Sequence, residues 1–262
     1  MTTVNDILNF LSNLAPEYMK EEWDHVGLNC GRKDAPIQKI LVALDPFDHV
    51  CREARDVGAD LLVTHHALIW DGGFINDDTP TGARTLFLVE NGIAHINAHT
   101  NLDCAPGGVN DVLAQALGLT NVEVIDPAGT DEQGKPYGLL RCGYVKRTEL
   151  ETFINHVKTQ LGTPVVRFVR GSNPVCKVAV GGGSCAGAMH LALAAGCDTF
   201  VTADVKYNQF WDAKDMELNL IDAGHFYTEN PVVAVLAAEL SRAFPEIEVI
   251  ISRTHHDCME FA

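Results

Sequence analysis

Five side chains of metal-donor type follow directly on apolar runs in this 262-residue sequence. His65 and His66 close "ADLLVTHH", Asp103 stands in "HTNLDCAPGG", and His225 and Glu229 frame "HFYTE". Three imidazoles with two carboxylates suit Zn, Mn, Fe, Co or Ni, whereas Ca and Mg prefer oxygen alone. Adjacent side chains on an extended strand point to opposite sides, so His65 and His66 read as a fork, one imidazole for each of two ions. Glu229 is long enough to bridge such a pair. Five protein donors cannot saturate two ions, which leaves positions for water or substrate. Two metals about 3.5–4 Å apart that share a water form a hydrolytic arrangement. Pro231 predicts a helix starting near Thr228 as N-cap, with His225 in the loop before it and Glu229 in its first turn. Taken singly, each residue has a plainer reading: a polar strand end, a turn or capping Asp, a Glu offsetting a helix N-terminus. Only the combination points to a site.

Such donors act together only if the fold gathers them. In the N-terminal half, "KILVALD" (39–45), "ADLLVTHH" (59–66) and "IAHINAHTNLD" (93–103) alternate with helical stretches at 46–58, 81–92 and 107–118. An opening helix covers 4–14. This rhythm predicts an α/β fold of βα units, with sheets covered by helices and ligands bound at the carboxyl ends of the strands. The stretch 126–136, "DPAGTDEQGKP", is rich in Gly, Pro and charge and reads as a boundary. The predicted domains are 1–125 plus 218–262, carrying most metal ligands, and a smaller 126–217, with the metal site in the cleft at the strand ends.

Other residues divide between chemistry and packing. "AVGGGSCAG" joins a strand to a helix, where backbone N–H groups could cradle an anion or the glycines could serve tight packing. Ser184 and Lys206 are the natural substrate contacts in the first case. Asp45 ends the first core strand and either caps a helix or orients a histidine ligand. His99, four residues before Asp103, reads as a supporting residue of the site. His95 and His190 read as core-edge histidines; His255-His256-Asp257 either coordinates a metal on its own or, the plainer reading, is a surface tail. Trp70 and Phe74 either wall the site or pack a subunit interface.

Lys plus Arg number 19 against 35 Asp plus Glu, a net charge of −16. That surface repels phosphate backbones, which argues against general nucleic-acid binding, and it favours cations. No apolar run is long enough to span a membrane, and "MTTVNDILNF" lacks the features of a signal peptide. Eight cysteines without a C-x-x-C pair read as reduced thiols, and the chain as cytoplasmic. P-loop, G-x-S-x-G and H-E-x-x-H patterns do not occur.

"WDHVGLNCG" (23–31), "VTHHALIW" (63–70), "HTNLDCAPGGVND" (99–111), "GGGS" (181–184) and "DAGHFYTE" (222–229) resemble, in that order, the motifs of the Nif-three-like dinuclear metal-centre family. Many of its members bear the name GTP cyclohydrolase I type 2 homolog. The resemblance covers nearly the whole chain. It implies two α/β domains, a ring-shaped homohexamer and two metal ions held by His65, His66, Asp103, His225 and Glu229. One departure stands out: the family's Thr-Gly-Asp-x-Lys-Tyr-His is here Thr202 to Asn208, and an amide cannot act as acid or base as imidazole does. The expected function is metal-dependent hydrolysis, with water as nucleophile, of a small anionic or nucleotide-like substrate. The alternative is a metal-binding scaffold or regulator that docks partners without turnover.

Overall fold

The central strands of this chain are apolar on both faces, so each sheet must be covered on both sides. The computed structural model describes residues 1–70 and 72–262. It divides into two compact units, Met1–Leu102 with Val233–His256 and Asp103–Val232 with Asp257–Ala262.

The first unit contains a five-stranded sheet in the order Gly27–Cys30, Ala94–Asn97, Leu61–Thr64, Lys39–Ala43, Glu248–Ile251. The last four run parallel, and Gly27–Cys30 adds an antiparallel edge. Helices Asp48–Asp56 and Pro80–Glu90 cover one face, where Leu41, Leu62, Val50, Cys51 and Leu88 form a core. Register matters most for the site. Ala43 lies opposite Thr64, and Thr64 opposite Asn97. The three strands therefore end level, and Asp45, His65, His66 and His99 emerge at one carboxyl edge.

The second unit contains a six-stranded sheet in the order Thr120–Ile125, Leu140–Thr148, Val175–Val180, Thr199–Thr202, Asn219–Asp222, Arg167–Val169. The strands Val175–Val180, Thr199–Thr202 and Asn219–Asp222 run parallel, and antiparallel strands flank them. Alternation divides the apolar residues between two cores: Val178, Val180, Val201 and Ile221 enter one, Ala179, Phe200 and Leu220 the other. Thr202 pairs with Asp222, so the glycine-rich loop, Asp204 and His225 also follow on level strand ends.

Three stretches fall in a different unit from the one the sequence suggested. Residues 103–125, 218–232 and 257–262 belong with the second unit. For the first two the reason is strand pairing: Thr120–Ile125 pairs with Leu140–Thr148, and Asn219–Asp222 with Thr199–Thr202. The Gly- and Pro-rich stretch at 126–136 makes the hairpin Gly129–Thr130/Pro136–Tyr137 inside that unit instead of a linker. Among the described residues, no disulfide joins the eight cysteines, and no helix is long and apolar enough to cross a membrane.

Candidate metal centre

The strand Leu61–Thr64 stops before His65, so strict alternation no longer applies to the two histidines. The chain bends as His66 N donates to Leu44 O at 2.9 Å, and the two ring centroids lie 4.8 Å apart. His99 brings a third ring, 5.1 Å from His65 and 5.4 Å from His66. Imidazoles sharing one tetrahedral zinc have centroids about 5 Å apart. Each of these three offers a ring nitrogen, all within 4.8 Å of one another. His99, expected only as a support, thus stands among the candidate donors.

His65 and His66 are held at Nδ1 by hydrogen bonds, and His99 Nδ1 stands beside a carboxylate. His65 Nδ1 donates to Ala98 O at 2.8 Å, and because a carbonyl only accepts, the ring's lone pair is at Nε2. His66 Nδ1 meets Asp45 Oδ1 at 2.6 Å, and His99 Nδ1 meets Asp24 Oδ2 at 3.0 Å. Backing of Nδ1 by an oxygen is the usual way a protein aims a metal-binding imidazole. Thr64 Oγ1 donates to His66 O at 2.6 Å and so accepts from His95 Nε2 at 2.7 Å, which fixes the backbone beneath the pair. Asp24 is 1% exposed and also accepts from Thr100 N and Oγ1. Burial works against the charge of Asp24 and Asp45, but hydrogen bonds from His99 and Thr100, and from His255 and His66, outweigh it and hold both carboxyls well below the usual range. Trp23 and Trp70 stand edge-on to His99 with centroids at 5.9 and 4.9 Å, walls that remain partly in solvent. Phe74 points into solvent.

In the second unit, Gly224 at φ +86° caps the helix His225–Glu229, four residues before the Thr228 cap that Pro231 implied. His225 and Glu229 therefore share a helix face, with Nε2 and Oε2 3.0 Å apart. Thr228, expected as an N-cap, instead accepts from Gly183 N at 3.0 Å. Asp204 Oδ2 meets His225 Nδ1 at 2.7 Å. Burial alone would depress the His225 pKa, but hydrogen bonds to Asp204 and Glu229 push it up to about 11, so the metal-free ring is an imidazolium. Glu229 and Asp103 are both buried, and each offers an oxygen within 4.8 Å of the other. His225 already sets positive charge 3.0 Å from Glu229, and a divalent cation would add charge beside both carboxylates. Glu229 thus adjoins both His225 and Asp103, as a bridging carboxylate would.

The three glycines of the loop serve packing. Their N–H groups are committed: Gly181 N to Val201 O, Gly182 N to Asn110 Oδ1 and Gly183 N to Thr228 Oγ1. A Cβ on Gly183, at φ +61°, would stand 2.1 Å from Glu229 Oε1 and 3.1 Å from His225 Nε2. The glycines let backbone approach the donors. Ser184 and Lys206 are exposed, Lys206 at the start of helix Tyr207–Asp215 with Asn208 in its first turn. Asp24 and Asp204 were not marked by sequence as parts of a site. The two aspartates lie inside motif-bearing stretches, but no spacing pairs them with His99 and His225. The tail His255 proves to be buried against Asp45.

A model of the Duf34/NIF3 (NGG1p interacting factor 3) family matches residues 2–258. A Clostridium perfringens protein called "GTP cyclohydrolase 1 type 2 homolog" is 35% identical over 262 residues, covering 98% of this chain and 99% of that protein. A Bacillus cereus protein related to NIF3 superposes with a TM-score of 0.93 at 25% identity, over 100% of this chain and 99% of that one. Staphylococcus aureus hypothetical protein SA1388 does so with a TM-score of 0.91 at 29% identity, over 99% of each. With its imidazole and carboxylate donors set on level strand ends, this chain belongs to the Duf34/NIF3 family.

Proposed function

We propose that this protein holds two divalent transition-metal ions with His65, His66, Asp103, His225 and Glu229, and uses them to hydrolyse a small anionic or nucleotide-like substrate. The observation that carries this reading is the set of imidazoles held at Nδ1 by oxygen acceptors, together with Glu229 placed against both Asp103 and His225. A bound metal pair supplies Lewis-acid activation of water and of the attacked centre. The chain's own work is to orient its donors. Ala98 O and Asp45 keep protons on the Nδ1 atoms of His65 and His66, and Asp204 does the same for His225. Trp23 and Trp70 limit solvent beside His99. Ser184 and Lys206, exposed at the loops that follow their strands, are the proposed contacts for substrate anions. The family resemblance adds a homohexamer, which light scattering measures.

Protein purified without a metal-affinity tag is expected to carry up to two transition-metal equivalents per chain by elemental analysis. It is also expected to turn over at least one member of a panel of nucleotides, phosphodiesters and cyclic amides after loading with Mn, Zn or Fe. A His65→Ala/Glu229→Ala variant that keeps its full metal content sinks the site assignment. Metal without turnover, and with a stoichiometric co-purifying protein, favours the scaffold reading instead. Asn208, an amide where the family pattern has imidazole, is the observation on that side.

A further inference from the structure

The acceptor behind His66 is itself held from the other end of the chain. Asp45 gives Oδ1 to His66 Nδ1 at 2.6 Å and Oδ2 to His255 Nε2 at 2.9 Å. A carboxylate bonded through one oxygen can still swivel about its last torsion. Capture of both oxygens by imidazoles from different segments fixes its plane and so the aim of His66. The His255 side chain is 4% exposed, although Thr254 and His256 on either side lie in solvent. Its segment is tied down rather than draped over the surface. Glu53, on helix Asp48–Asp56, accepts from Ser252 Oγ at 2.5 Å, Arg253 N at 2.8 Å, Thr254 N at 3.3 Å and Thr254 Oγ1 at 2.8 Å. His255 N then donates to Ser252 Oγ at 3.1 Å, and its ring lies edge-on to Phe47. A single carboxylate clasping three consecutive residues makes this a built turn.

We propose that His255 is a positioning residue of the metal centre: it locks Asp45, which in turn fixes the tautomer and direction of His66. The proposal rests on His66 being a metal ligand, and its test separates the two ideas. Tag-free apo-protein is titrated with Co²⁺ alone, reading affinity by chelator competition and geometry by the visible ligand-field bands. The His255→Leu and His255→Gln variants are titrated alongside. Leu keeps the bulk without a donor, while Gln can still donate an N–H to Asp45. The Leu variant is expected to bind about 10–100-fold more weakly, with shifted bands, and the Gln variant to recover both. Equal affinity and bands in Leu and wild type overturn the positioning role alone, as does equal loss in Leu and Gln, which is a structural effect. A wild type that takes up no Co²⁺ overturns the metal-site reading and the positioning role with it. Long-range ¹H–¹⁵N spectra of Zn²⁺-loaded wild type need no variant. They are expected to show protons on His66 Nδ1 and His255 Nε2, and a His255 without a proton at Nε2 overturns the proposal.

Discussion

Gly183 has no side chain because Glu229 occupies the space one would need. Gly183→Ala should push the carboxylate away and strain a backbone at positive φ, weakening metal affinity by roughly tenfold or more. Chelator competition checks this, and unchanged affinity would mean that the Glu229 position is not needed. His95, beneath the histidine pair, offers a pH test. Burial depresses its pKa to about 3 from the ordinary 6.5. Between those values the unfolded chain takes up a proton that the folded chain refuses, so stability is present above pH 6.5 and lost as pH falls. From pH 7 to pH 5 the wild type should lose about 2 kcal/mol more than His95→Gln in urea melts. At this scale the proposed donors were legible by type and by their place after apolar runs. The sequence could not reveal Asp24 or Asp204, because each meets its histidine across a sheet edge, with no periodicity linking positions 24 and 99 or 204 and 225.

The elements act as a template: level strand ends deliver donors to one edge of each sheet. Asn110, 0% exposed on helix Val109–Ala116, ties three of these deliveries together. It donates to Asp103 O at 3.2 Å and Leu139 O at 2.7 Å and accepts from Gly182 N at 2.7 Å. Asn110→Ala would leave three backbone groups, at least two of them buried, without this partner, for a loss of about 2–4 kcal/mol and weaker metal binding. Chemical denaturation and Co²⁺ titration check the two parts. Most of this layer was legible in the sequence: the opening helix falls at Val4–Leu14 as predicted, and the βα rhythm is real. The helix His225–Glu229 was not, because Pro231 marks the start of the following helix and masks a five-residue turn before it.

At the scale of the molecule, a net charge of −16 favours cation uptake. Any metal bound only by the folded chain must also stabilise it, by about 2.7 kcal/mol at a hundredfold excess over Kd. Chelation should therefore lower the melting temperature, and readdition of Zn²⁺ or Mn²⁺ should restore it in calorimetry. The division into units was the least legible feature. Glycine, proline and charge at 126–136 mark a hairpin as readily as a linker, and only pairing between strands far apart in sequence decides which. The central claim is the metal pair. Diffraction data from tag-free crystals, collected above and below the absorption edges of Zn, Fe and Mn, test it most directly. Two anomalous peaks about 3.5–4 Å apart, ligated by His65, His66, Asp103, His225 and Glu229, are the predicted result. A single peak, or peaks ligated by other residues in fully loaded protein, would contradict it.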